Sequence, residues 1–244
     1  MKVAIINFSG NTGKSTLTKN FLVPQIPNCK RISIEDLNEG DGKSEIDIGA
    51  NMFRQVATEL NVADDECNFA IDIGASAAKA MLAHFATLRT TRDDIDFWVV
   101  PVTPSIKQRA DTINTVKALI SIGVDPIKII VIANNIVDTA LFNGDFSMIQ
   151  VAAKDLGFNM CSQAVLSNEV FEMTKGDVRS IFEISADATD LKALRKEYKG
   201  DPKKLDALGR RMVIRDCAED ACENLRTVFA ATPIATALAE LLTE

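Results

Sequence analysis

An apolar run, Val3-Ala4-Ile5-Ile6, gives way almost at once to the glycine-rich turn Ser9-Gly10-Asn11-Thr12-Gly13-Lys14-Ser15-Thr16. A buried strand, a tight turn and a helix start in this order are the context of a phosphate loop. Backbone N–H groups in such a turn, together with the positive end of the helix, cradle phosphate oxygens. Lys14 is placed to neutralise β- and γ-phosphates and the Ser15 hydroxyl to ligate Mg²⁺. Gly10 and Gly13 permit close backbone approach, and Asn11 is among the few other residues that tolerate left-handed geometry. The competing reading is an ordinary glycine turn opening a helix. The strict pattern also has glycine at position 8, where this chain has Phe8.

Further apolar runs recur along the chain, separated by helix-length segments. Strands are predicted at Lys2–Phe8, Arg31–Ile34, Phe69–Ile73, Phe97–Val102 and Lys128–Ala133, with a weaker one near Met160–Val165. Most are continuous and rich in Val and Ile, as in parallel sheets covered on both faces. Amphipathic stretches at 14–22, 46–61, 76–88, 107–122 and 145–156 fall between them. This alternation predicts an α/β fold, a doubly wound and mostly parallel sheet whose ligands bind beyond the carboxyl ends of the strands. After about residue 186 the strands stop. Segments 187–198 and 203–230 read as helices joined by Lys199-Gly200-Asp201-Pro202, and no Ser/Gly-rich linker precedes them. The expectation is one domain over 1–244, with an α/β core at 1–186 and a helical C-terminal extension at 187–244.

Composition narrows the function classes. With 47% apolar and 25% charged residues the chain is ordinary for a soluble globular protein. The Val3–Ile6 run is too short for a signal peptide and no stretch approaches 18 apolar residues, so a cytoplasmic protein without a membrane span is expected. Five scattered cysteines without a C-x-x-C pair suggest reduced thiols, not a disulfide framework or zinc site. A net charge of −7 argues against a surface that coats nucleic acid. Yet residues 187–215 hold nine Lys or Arg against five acids, and residues 216–244 hold one against six. Lys192, Arg195, Lys196 and Lys199 follow helical spacing, and Lys203, Lys204, Arg210, Arg211 and Arg215 could extend them into a stripe contacting DNA phosphates without reading bases. A solvated, charge-balanced helix surface is the alternative.

A phosphate loop needs acids at neighbouring strand ends. Asp72 follows Phe69-Ala70-Ile71 and is the candidate for the metal shell, with Gly74 behind it for close approach to a γ-phosphate. Glu35 and Asp36 end the second strand and could orient attacking water. The fifth strand runs into Asn134-Asn135-Ile136-Val137-Asp138, where a base-recognition loop would lie. An Asn side chain offers the donor and acceptor that suit adenine. Asn135 and Asp138 also have the N-x-x-D spacing that reads guanine, but Ile136 stands where that motif has Lys. His84, the sole histidine, falls in a helix and Trp98 in a buried strand, so both read as structural.

Together these residues resemble the ParA/MinD family of deviant-Walker ATPases over roughly 1–186. Ser9 to Thr16 match its Walker A loop, Asp72 its acid after the third strand, and Val99-Val100-Pro101-Val102-Thr103-Pro104-Ser105 its segment after the fourth. Within the family, Val3 to Asn11 look most like StbB-type plasmid stability proteins. The resemblance implies an ATPase that binds ATP and Mg²⁺, dimerises on ATP and positions plasmid DNA through a plasmid-encoded partner. The family's signature lysine, which crosses the dimer to the partner's phosphates, belongs at position 9, where this chain has Ser9. That departure opens a second class, a nucleotide-gated binding switch with negligible hydrolysis. A P-loop kinase or ligase acting on a small metabolite is a third class, without the Arg-rich lid a kinase needs, and the GTPase reading is weakened by Ile136.

Overall fold

The computed structural model describes residues 1–34, 45–62, 67–241 and 243. Its elements in chain order are β1 (Lys2–Ile6), α1 (Lys14–Leu17), β2 (Cys29–Ile34), α2 (Glu45–Val62), β3 (Asn68–Ile73), α3 (Ala78–Thr87), α4 (Arg89–Asp93), β4 (Phe97–Val102), α5 (Ile106–Ser121), β5 (Ile129–Ala133), α6 (Phe142–Asp145), α7 (Ser147–Leu156), β6 (Asn159–Met160), α8 (Val170–Met173), α9 (Ile181–Ser185), α10 (Leu191–Glu197), α11 (Pro202–Ala230) and α12 (Pro233–Leu241). Among the described residues six strands form one sheet in the order β2-β3-β1-β4-β5-β6, and every pairing is parallel. From β1 the chain crosses to the edge strand β2, returns to β3 beside β1 and then passes over to β4 on the other side, so the connections leaving the neighbouring strands β1 and β3 run in opposite directions. A ligand crevice belongs at the carboxyl ends of these two strands.

Alternation along β1 explains why its run is apolar throughout. Ala4 and Ile6 enter one cluster with Phe53, Phe85, Trp98, Leu119 and Ile149 from α2, α3, β4, α5 and α7. Val3 and Ile5 enter the other, with Leu17, Phe21, Ile181, Leu225 and Phe229. The second layer is therefore built largely from the chain after residue 180. Trp98 is fully buried with its ring edge-to-face on Phe85 at 5.2 Å, and His84 lies flat against Phe53 at 4.9 Å.

Several boundaries differ from those expected. β1 stops at Ile6 because side chains then take over the backbone N–H groups: Thr115 Oγ1 accepts from Phe8 N and Asn7 Oδ1 from Ser9 N. The helix expected over 14–22 is α-helical only to Leu17. It widens into π-helix over Thr18–Leu22, where Val23 N donates to Thr18 O. Buried Asn20 sits in that segment and accepts from Ile181 N, so the widened turn anchors α9. β6 is only two residues long. Cys161 N and Val165 N still donate to β5 carbonyls, and the residues between loop away from the edge.

The late helices are capped as their sequences suggest. Asp190 accepts from the N–H groups of Lys192 and Ala193, and Asp201 from Lys204 N, with Pro202 at the first position of α11. Ser180 and Glu183 form a reciprocal capping box on α9. No described helix is long and apolar enough to cross a membrane.

Candidate nucleotide site

The loop between β1 and α1 wraps around one ammonium group. Asn11 and Gly13 have φ of 57° and 85°, the left-handed turns that fold the backbone back on itself. Lys14, only 7% exposed, donates from Nζ to the carbonyl of Ser9 at 2.9 Å and so spans the turn. β4, α5 and the end of β5 brace the loop from outside. Asn7 Nδ2 donates to Pro101 O and Thr112 Oγ1, Gln108 Nε2 to Gly10 O, and Asn134 Nδ2 to Thr12 O. A Cβ on Gly13 would run into the Asn134 amide, so this glycine is needed for space as well as for φ. Ser15 is exposed at the first turn of α1 and Thr16 is half-buried.

Asp72 is 1% exposed and shares a face of β3 with Ala70, the face that packs with Leu17 of α1. Its Oδ2 accepts from Arg31 Nη2 at 2.7 Å, while its Oδ1 is buried with no hydrogen-bond partner among the described residues. Thr12 Oγ1 is buried and unpartnered in the same way. Burial pushes the Lys14 ammonium below its usual range, and the negative charge of Asp72 opposes that shift. The site thus holds a desolvated cation and two unsatisfied oxygens, each of the latter costing about 1–3 kcal/mol when left alone. A Mg²⁺-bound polyphosphate fits this set. Lys14 and the loop N–H groups could meet phosphate oxygens, and Ser15 and Asp72 could hold the metal.

A groove of about 570 Å³ continues from the loop, between Asn11, Gly13 and Thr16 on one side and Asn134, Asn135 and the segment Leu166–Met173 on the other. It is large enough for a base and ribose. Asn134, expected to read a base, commits one amide hydrogen to the Thr12 carbonyl and so first of all braces the loop. Asp138 accepts from Ala140 N, capping the turn Thr139–Leu141. Ser167, Asn168 and Phe171 also line the groove, and the sequence pattern does not single them out. Their one signal is faint, a Ser-Asn-Glu run just after a very short strand.

Glu35 and Asp36 lie outside the described residues. Arg31 carries no sequence signal of its own, because it stands two positions before Ser33 and meets Asp72 only through the register Ser33↔Asp72 of β2 on β3. The basic stripe divides. Lys204 pairs with Asp201, Arg210 with Asp206 at 3.0 Å and Arg211 with Asp187 at 2.7 Å, and Arg215 donates to the carbonyls of Asp187 and Thr189. Lys192, Arg195, Lys196 and Lys199 instead line a single pocket with Leu205 and Met212, without an ion-pair partner among the described residues.

No family model matches this chain, and no curated protein does. Among solved structures, apo McdA from Cyanothece aligns at 15% identity over 84% of this chain and 98% of that one, with a TM-score of 0.50. MinD from Aquifex aeolicus aligns at 13% identity over 86% and 96%, with a TM-score of 0.49. MinD from Pyrococcus horikoshii, determined with Mg-ADP, aligns at 14% identity over 90% and 94%, with a TM-score of 0.47. At such identities a likeness speaks for architecture alone. With its all-parallel sheet and the loop and helix after β1, the chain has the α/β fold of the P-loop NTPases, completed by C-terminal helices.

Proposed function

We propose that this chain is a ParA/MinD-like ATPase that binds Mg-ATP and serves plasmid stability, partition or conjugative-plasmid positioning through a plasmid-encoded partner. The observation that carries the nucleotide part is the buried Lys14, held across a left-handed turn beside an Asp72 that keeps one oxygen unsatisfied. When bound, Mg²⁺ would supply charge neutralisation on the triphosphate. Lys14 and the loop N–H groups orient and neutralise the phosphates, and Asp72 orders the metal's surroundings. ATP is favoured over GTP because Asp138 is committed to a cap and Ile136 is a buried apolar residue. Two chains would pair with their phosphate loops facing when ATP is bound.

One observation favours a second reading. Ser9 is 7% exposed and its carbonyl holds Lys14, so position 9 offers no cation to a facing subunit. A nucleotide-gated switch with negligible hydrolysis would need none. Phosphate release measured with and without partner separates the two. In the ATPase reading Asp72→Ala lowers partner-stimulated turnover far more than nucleotide affinity. Full turnover in that variant would move the metal role to another acid, with Glu35 and Asp36 next in line.

Direct DNA contact, in this reading, belongs to Lys192, Arg195, Lys196 and Lys199, because most of the other stripe cations are already paired. The contact would be sequence-independent and fall steeply with salt. Changing these four to alanine should abolish a low-salt gel shift, while Arg210→Ala with Arg211→Ala should leave most of it. No shift by the parent protein with any nucleotide would confine DNA contact to the partner.

A further inference from the structure

Among the described residues Asp72 is the one acid placed at the candidate metal position, and it already has a cationic partner. Arg31 Nη2 sits 2.7 Å from Asp72 Oδ2, an ion pair in which the Asp72 side chain is 2% exposed and the Arg31 side chain 36%. The negative charge of Asp72 also acts on the buried Lys14 ammonium of the loop. Asp72 therefore has Arg31 on Oδ2, and only Oδ1 is left over. Arg31 also lines a second cleft of about 850 Å³, together with Asp177, Glu183 and Arg226. Lys19 lines it too, Asp177 is paired with Arg179 and Glu183 serves the capping box of α9, so a guanidinium leaving Asp72 would find solvent there.

We propose that Arg31 is a positioning residue of the nucleotide site: it holds the Asp72 carboxylate when the metal is absent and competes with Mg²⁺ for it. The proposal rests on the Mg-ATP reading of the loop. Its physical basis is that a buried carboxylate needs compensation in every state. Arg31 supplies this in the empty site, and the metal with its waters supplies it in the loaded one. A metal shell on the free Oδ1 would draw on the same negative charge, so the hold of the guanidinium on Oδ2 should weaken as the metal binds. The guanidinium can move into the cleft without crossing the core, because a third of the side chain is already exposed.

The test uses the full chain with ATP and Mg²⁺, and compares the parent with Arg31→Gln and Arg31→Lys. The Mg²⁺ concentration that gives half-maximal binding of a fluorescent ATP analogue should fall about tenfold in Arg31→Gln, the weight of one charge-assisted hydrogen bond lost by the competing state. Arg31→Lys should fall between. Without nucleotide, Arg31→Gln should melt at lower temperature than the parent. Adding Asp72→Asn to both proteins should remove most of that difference, because the pair it measures is then broken in each. A lower melting temperature with an unchanged or raised Mg²⁺ midpoint would make Arg31 merely structural and overturn the proposal. Should Arg31→Gln not fold, Arg31→Lys carries the same decision. A parent that binds no nucleotide at any Mg²⁺ concentration would instead sink the phosphate-loop reading, and the proposal with it.

Discussion

Replacement of Lys14 by alanine is expected to remove measurable Mg-ATP binding. Lys14 is the one cationic side chain that the loop encloses, and its ammonium is anchored to the Ser9 carbonyl in the middle of the turn. Truncating one member of a desolvated charge pair costs about 2–5 kcal/mol, or roughly 30- to 5,000-fold in affinity. The direction of the Lys14 shift sharpens the expectation. Burial disfavours its charged form in the empty site, so arriving phosphates gain more from that charge than an exposed lysine would give. The same shift means that stability without nucleotide should rise as pH climbs from the lowered pKa toward the ordinary lysine range, because the unfolded chain binds the extra proton there. Isothermal calorimetry on parent and variant checks the main effect. Equal affinities would remove Lys14 from the site.

The second large effect is on folding. Phe21→Ala should destabilise the protein by about 3–5 kcal/mol and lower its melting temperature by roughly 6–20 °C. Phe21 is fully buried in the π-helical turns behind the phosphate loop, edge-to-face with Phe229 of α11 at 5.6 Å. Its removal leaves a cavity where the early and late parts of the chain meet, so core and extension should lose stability together in one urea transition. Two separate transitions, or a loss under about 1 kcal/mol, would mean that α11 adds little to the core.

How much of this is legible in the sequence follows from which forces are local. Strands such as Phe97–Val102 are visible because both of their faces are buried, which leaves an almost unbroken apolar run. The left-handed turn is visible because Asn11 and Gly13 are among the few residues that tolerate it. Asp72 stands out as an acid near the end of such a run. The Arg31–Asp72 pair does not, since it exists only through sheet order and register, which no local pattern encodes. Asn134 can be placed at the right loop, but its commitment to Thr12 cannot be foreseen, because that bond joins segments 122 residues apart. The division of the basic stripe is hidden too, for helical spacing records which cations share a face but not which acids reach them from elsewhere. Asp187 reaching Arg211 is such a case.

The most direct measurement is a structure of the chain with Mg²⁺ and a non-hydrolysable ATP analogue. The triphosphate should lie in the turn Ser9–Thr16 against Lys14, with the metal between Ser15 and Asp72, the base in the groove beside Asn134 and Asn168, and a second chain facing the loop. A nucleotide bound away from Lys14 would contradict the Mg-ATP reading of this site, and a metal held by acids other than Asp72 would contradict the role given to Asp72 in it.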